Sequence, residues 1–282
     1  MKYLLLLLAA LNVSAQSLTF DKRNVECEDR WIAFQMGKDS SYMYGFIYID
    51  FHAGLTFNYE GNFKIDDAGK FIPTKNDKNG MIKARLQPNH VAIALIPESK
   101  FAELEIASTP DWLALYKTDE NSIEKLHRWG YFYNSFGESE KALSYLEQGQ
   151  KIDPKYPGLA FELAFAYNAL HRFKDALTII EEALKHSPNE CHLYKERAYS
   201  EIHLGKLDLA KKTYLKAVKL CTDKSILAEM SLNLAYQYFQ KREYDTFDYW
   251  AKEIEKWVKE NDMYSKNLQN MKKALNEIRN GS

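Results

Sequence analysis

The residue types that most often carry chemistry do not assemble here into a reactive pattern. The seven histidines show no His-Glu-x-x-His spacing and the three cysteines no Cys-x-x-Cys, so no local zinc site is encoded. There is no Gly-rich phosphate loop and no Gly-x-Ser-x-Gly elbow to present a nucleophile. Adjacent like charges such as Glu181-Glu182 and Lys211-Lys212 have the spacing of solvated helix faces. The chain is therefore read as non-enzymatic, with no catalytic residue, no metal and no cofactor. Over 282 residues, 38 basic side chains face 39 acidic ones and 46% of residues are hydrophobic, which argues against a disordered chain and against charge-driven nucleic-acid binding. The unusual stock is aromatic, with 19 Tyr, 15 Phe and 5 Trp, so the elements that position those rings become the question.

Residues 1–15 read as a secretory signal peptide. Lys2 precedes an apolar run from Tyr3 to Leu11 that is too short to span a bilayer, and Val13-Ser14-Ala15 supplies a small-residue cleavage end. The expectation is an exported, periplasmic or extracellular protein with no membrane span after cleavage. Residues 16–108 are strand-like. Ser41 to Asp50 is aromatic and β-branched, Leu55 to Tyr59 alternates, and Met81 to Leu86 and Val91 to Ile96 read as two strands joined by Gln87-Pro88-Asn89-His90. An antiparallel sheet, sandwich or barrel all fit. At Thr109-Pro110-Asp111 the pattern turns helical, and 109–122 reads as a linking helix.

From there a repeat of 34 residues takes over. Gly130, Tyr133, Ala142, Leu146, Gly149 and Pro154 are answered by Ala164, Tyr167, Ala176, Ile180, Ala183 and Pro188. A second step of 34 gives Ala198, Glu201, Ala210, Tyr214 and Ala217, and a step of 37 gives Ala235, Tyr238, Phe247, Ala251 and Ile254, with three extra residues assigned to the preceding loop. Small residues let paired helices approach, large ones fill between hairpins, and proline ends the second helix. With Trp129-Gly130-Tyr131-Phe132-Tyr133, Lys141-Ala142-Leu143 and Asp153-Pro154, this segment resembles the tetratricopeptide repeat family. The fold class expected is α+β: an antiparallel β domain, then an all-α superhelix of four hairpins over 123–260, with a capping helix and tail over 261–282.

The resemblance implies that the first helix of each hairpin lines a concave face. With Ile123, Pro157, Cys191 and Ala228 as first positions, every ninth position is aromatic: Tyr131, Phe165, Tyr199 and Tyr236. His127, Phe161, Asn134, Asn168, Lys195, His192, Phe239 and Gln240 flank them. The leading reading is a groove for a partner peptide or helix, with rings as anchors and polar side chains as hydrogen-bonding hands. Inter-repeat packing, or coverage by the protein's own β domain, would use the same rings. Chaperone-binding members of the family hold a terminal carboxylate in a basic clamp. Here those positions read His127, Tyr131, Glu162, His192 and Glu196, whose carboxylates would repel it. Cys191 opens the first helix of the third hairpin and Cys221 closes its second, so the two ends of one hairpin can be bridged, leaving Cys27 free or paired between chains. An alternative puts a ligand- or glycan-binding activity on Trp31, Tyr42, Tyr44, Tyr48 and Tyr59 of the β domain. The partner's identity and the oligomeric state are left open.

Overall fold

The computed structural model describes residues 18–76 and 80–281; the leader reading over 1–15 and Asn79 of the Asn79-Gly80 turn lie outside the described residues. Two compact units divide after Asp119. Among the described residues no helix is long and apolar enough to cross a membrane.

The first unit is a six-stranded antiparallel sheet of β1 (Arg30–Ala33), β2 (Tyr42–Asp50), β3 (Gly54–Ile65), β4 (Phe71–Lys75), β5 (Ile82–Arg85) and β6 (Ala94–Leu95). The order is β4-β3-β2-β1-β6, and β5 pairs with β3 over Thr56–Tyr59, the stretch that β4 leaves open. The two segments read as consecutive strands do form, but they lie on β3 and on β1 and do not pair with each other. Their link, Gln87 to His90, makes no hairpin turn: Pro88 offers no N–H, and the Asn24 amide donates to the Gln87 carbonyl at 3.2 Å. A bulge between Tyr44 and Gly45 shifts the β2–β3 register. There a Cβ on Gly45 would lie 2.1 Å from the Asn58 carbonyl oxygen, so only glycine fits.

Alternation along β2 sends Tyr44, Phe46 and Tyr48 into a core with Trp31, Phe63, Phe71 and Leu113. Trp31 packs edge-on to Phe46 at 5.1 Å, and its indole N–H donates to the Ala107 carbonyl at 2.8 Å. Burying each such ring stabilises the unit by roughly 1.5–3 kcal/mol. Trp31, Tyr44 and Tyr48 are thus core residues, and Tyr42 and Tyr59 are half-buried, which removes the five-ring ligand platform as an explanation of the aromatic stock. The segment read as a linking helix is a 3-10 turn, Asp111–Tyr116, that belongs to this unit. Its Trp112 and Tyr116 rings pack on Tyr48 at 5.0 and 4.7 Å, and its Leu113 is buried. Cys27 is free and buried, and burial pushes its thiol up to about 11, so it is not placed to bond another chain.

The second unit is a stack of hairpins: α1 (Ile123–Ser135) with α2 (Ser139–Ile152), α3 (Leu159–Ala169) with α4 (Phe173–His186), α5 (Cys191–His203) with α6 (Leu207–Leu220), and α7 (Lys224–Gln240) with α8 (Tyr244–Glu255). A last helix, α9 (Met263–Arg279), covers the end with Leu268 and Leu275 buried. Successive first helices pack on one another, and each second helix packs on its partner and on the next first helix. The three extra residues of the fourth repeat lengthen α7 at its start rather than its loop, because Asp223 caps the helix by accepting from the Ser225 N–H at 2.8 Å.

One backbone device recurs at every hairpin turn. Gly137, His171, Gly205 and Arg242 all take the left-handed conformation just past a first helix. The next residue's N–H then reaches back: Glu138 to the Tyr133 carbonyl, Arg172 to Tyr167, Lys206 to Glu201 and Glu243 to Tyr238, at 2.8 to 2.9 Å. Only two of the four positions are glycine. Arg242→Gly should therefore stabilise the unit by up to about 1 kcal/mol and Gly137→Ala should destabilise it by a similar amount, read as opposite shifts in thermal unfolding.

Candidate functional site

The first helices carry every residue of the expected groove, and packing sorts those residues into three groups. Tyr131 and Tyr236 are 41% and 50% exposed. Phe165 and Tyr199 are half-buried, so the column is a partly open face whose middle is the more covered part. Phe161 adjoins it, with its ring 6.4 Å from Phe165 and 5.1 Å from the exposed His192. Tyr199 leans on His203 at 4.3 Å, and the Arg128 guanidinium lies 5.4 Å from the Tyr131 ring.

Four of the six polar residues expected to reach a ligand are engaged elsewhere, while His192 and Gln240 are exposed. Asn134 and Asn168 are buried, which corrects their assignment as groove donors. The Asn134 amide donates to the Glu162 carbonyl at 3.0 Å and to its carboxylate at 2.8 Å. The Asn168 amide does the same to Glu196, at 3.1 and 2.9 Å, and its own oxygen accepts from the Ser200 hydroxyl at 2.6 Å. Each bond pair ties one first helix to the next across 28 residues. The signal was in the sequence, since both the Asn pair and the Glu pair recur at 34. At the third joint the same register holds Ile202 and Asn233, which cannot make the bond.

Lys195 is likewise spent: its ammonium pairs with Glu196 at 3.3 Å and Glu229 at 3.6 Å, and lies 5.7 Å from the Phe161 ring. His127 is wedged between the Tyr156 ring, 5.2 Å away, and Gly158, and burial holds its imidazole below the usual range and hence neutral near pH 7. Phe239 is half-buried within the last hairpin, edge-on to Phe247 at 5.5 Å, so it packs rather than lines the face. Of the positions compared with a carboxylate clamp, Glu162 and Glu196 are buried inter-helix acceptors rather than surface charges.

Cys191 and Cys221 are bridged, with Cα atoms 5.6 Å apart and a sequence separation of 30. The bond ties the start of α5 to the end of α6. Replacing both residues by serine should cost about 3 kcal/mol in denaturant unfolding of the oxidised protein, because a loop of this size regains its freedom in the unfolded chain.

Burial raises both the Glu162 and Glu196 carboxyls above the usual carboxylate range. Between the ordinary value near 4.5 and those raised values, the folded state holds protons that the unfolded chain has lost. The contribution of these groups to stability is therefore present at low pH and falls as pH rises through that window. Glu162→Gln/Glu196→Gln keeps an acceptor for each amide and removes the titration. Thermal unfolding from pH 4.5 to 7 should show the variant gaining on wild type as pH rises.

A tetratricopeptide repeat family model matches residues 135–202. No curated protein matches the chain. Among solved structures, the chain is similar to a thermophilic tetratricopeptide repeat protein of Thermus thermophilus, at 19% identity over 57% of this chain and 86% of that one, with a TM-score of 0.48. It is also similar to a tetratricopeptide repeat protein from Parabacteroides merdae, at 15% identity over 57% of this chain and 62% of that one, TM-score 0.44. A third is pilF of Pseudomonas aeruginosa, at 13% identity over 58% and 79%, TM-score 0.44. The protein is an antiparallel β unit followed by a stack of helical hairpins, and residues 135–202, from the end of α1 into α5, match the tetratricopeptide repeat.

Proposed function

We propose that this protein is a non-enzymatic interaction protein of the cell envelope that binds a partner polypeptide along the face formed by its first helices. The observation that carries the reading is the exposure of Tyr131 and Tyr236, 41% and 50%, at equivalent positions of two separate hairpins. Between them Phe161, Phe165 and Tyr199 offer half-covered apolar surface on the two middle hairpins. Rigid rings with few rotatable bonds are efficient anchors, and an exposed set in register suits an extended segment or a helix. Because Asn134, Asn168 and Lys195 are already bonded within the unit, recognition along this face rests on apolar and aromatic contact more than on polar hands.

Export is supported by two features, the leader-like pattern of residues 1–15 and the Cys191–Cys221 bridge, which persists in an oxidising compartment. The test is site-specific photo-crosslinking in the envelope of the producing cell. Benzoylphenylalanine in place of Tyr131 or Tyr236 should capture one and the same protein, whereas the same probe in place of Leu215, 53% exposed on second helix α6, should not. Capture from Leu215 alone would place the interaction on the second helices instead.

A further inference from the structure

Three strands form the rim of the six-stranded sheet, and two of them are closed to further pairing. On β4 the bonds to β3 use Ile72 and Thr74, so Phe71 and Pro73 turn their backbones outward. The Phe71 N–H donates to the Glu103 carboxylate at 2.7 Å, and Pro73 has no N–H to offer. β6 is two residues long, and Ile93 just before it already exchanges both N–H···O bonds with Lys22, at 2.9 and 3.1 Å. β5 is different. Leu86 donates to the Leu55 carbonyl at 2.7 Å, and in that register Ile82 and Ala84 bond to β3 while the N–H and C=O groups of Lys83 and Arg85 face away from it. Those outward groups have no partner among the described residues, and every residue of the strand is exposed.

The side chains of β5 select by charge. Lys83 and Arg85 share one face, opposite the neutral Asn58 and Thr56 of β3. The Lys83 ammonium donates to the Tyr116 hydroxyl and lies 4.8 Å from the centroid of that ring, contacts that orient the side chain without bringing it a negative charge. Among the described residues no carboxylate pairs with either cation. Cations on an open edge keep copies of the chain apart, because a second β5 laid antiparallel on the first sets Lys83 or Arg85 against a like charge whichever of them meet. An acidic strand meets the opposite sign. We propose that the outer edge of β5 accepts an extended segment of a partner polypeptide as a further antiparallel strand, and that this segment carries acidic residues at two alternate positions with an apolar residue between them. The acidic pair lies opposite Lys83 and Arg85, and the apolar residue lies on the other face beside Ala84 and Ile82, itself 39% exposed. Backbone bonds supply affinity and the alternation supplies selectivity. The edge is separate from the first-helix face and does not rest on that reading.

The experiment is an amide NMR titration of the oxidised full chain with three capped hexapeptides: one alternating glutamate and valine, one alternating lysine and valine, and the first again with each glutamate N-methylated, which removes the N–H groups that would face β5. The glutamate–valine peptide should shift the Lys83 and Arg85 amides saturably and slow their hydrogen exchange, binding about tenfold more tightly than the lysine–valine peptide. N-methylation should abolish both effects. Lys83→Glu/Arg85→Glu should invert the charge preference, and the three wild-type titrations decide the matter if that variant does not fold. No shift at these amides, or equal affinity for the two charge forms, would overturn the proposal. Undiminished binding of the N-methylated peptide would overturn it as well, since ion pairing without strand addition would then suffice. Concentration-dependent shifts of the same amides in the protein alone would make a second copy the occupant and overturn the acidic partner.

Discussion

A buried amide that can be satisfied only by the next helix sets the geometry of the helical unit. Asn134 and Asn168 each give one N–H₂ group to both oxygens that Glu162 and Glu196 present, the main-chain carbonyl and the carboxylate. A slip of one residue between successive first helices would bury two unsatisfied polar groups, at a cost of roughly 1–3 kcal/mol each. Apolar packing of small residues brings the helices together, and the amide ties fix how far along one another they sit. Where the tie is missing, at Ile202 and Asn233, α7 is also the longest of the first helices.

The same ties decide what the face can do. A first-helix face rich in Asn, Glu and Lys reads as a polar recognition surface, yet those groups are bonded to each other beneath it. The chemistry left outward is mainly aromatic, with His192 and Gln240 beside the rings. This explains how a nearly neutral chain can carry so many rings in two roles: in the β unit they fill a core around Tyr44, Phe46 and Tyr48, and on the hairpins they stand in register with Tyr131 and Tyr236 open to solvent.

The hairpins were legible in the sequence because several residue identities recur together at 34, and the bridge between Cys191 and Cys221 followed from the antiparallel ends of one hairpin. The ring column was legible for the same reason. The Asn and Glu ties recur just as regularly, but burial is a property of neighbours and does not show in a residue's type, so the Asn pair read as ligand contacts and the Glu pair as open groove charges. In the β unit the strands were visible but their order was not. Pairing of β5 with β3 and of β6 with β1 depends on contacts far apart in sequence, and the burial of Leu113 drew 111–116 into the β core.

The most direct test is a double-mutant cycle on Asn168 and Glu196, measured by denaturant unfolding. If the tie sets the stack, Asn168→Leu and Glu196→Leu should each destabilise the protein by about 2 kcal/mol, and the double variant should lose at least ~1 kcal/mol less than their sum, because no orphaned partner remains. Additive losses within about 0.5 kcal/mol would show that the two residues act independently and would contradict the account.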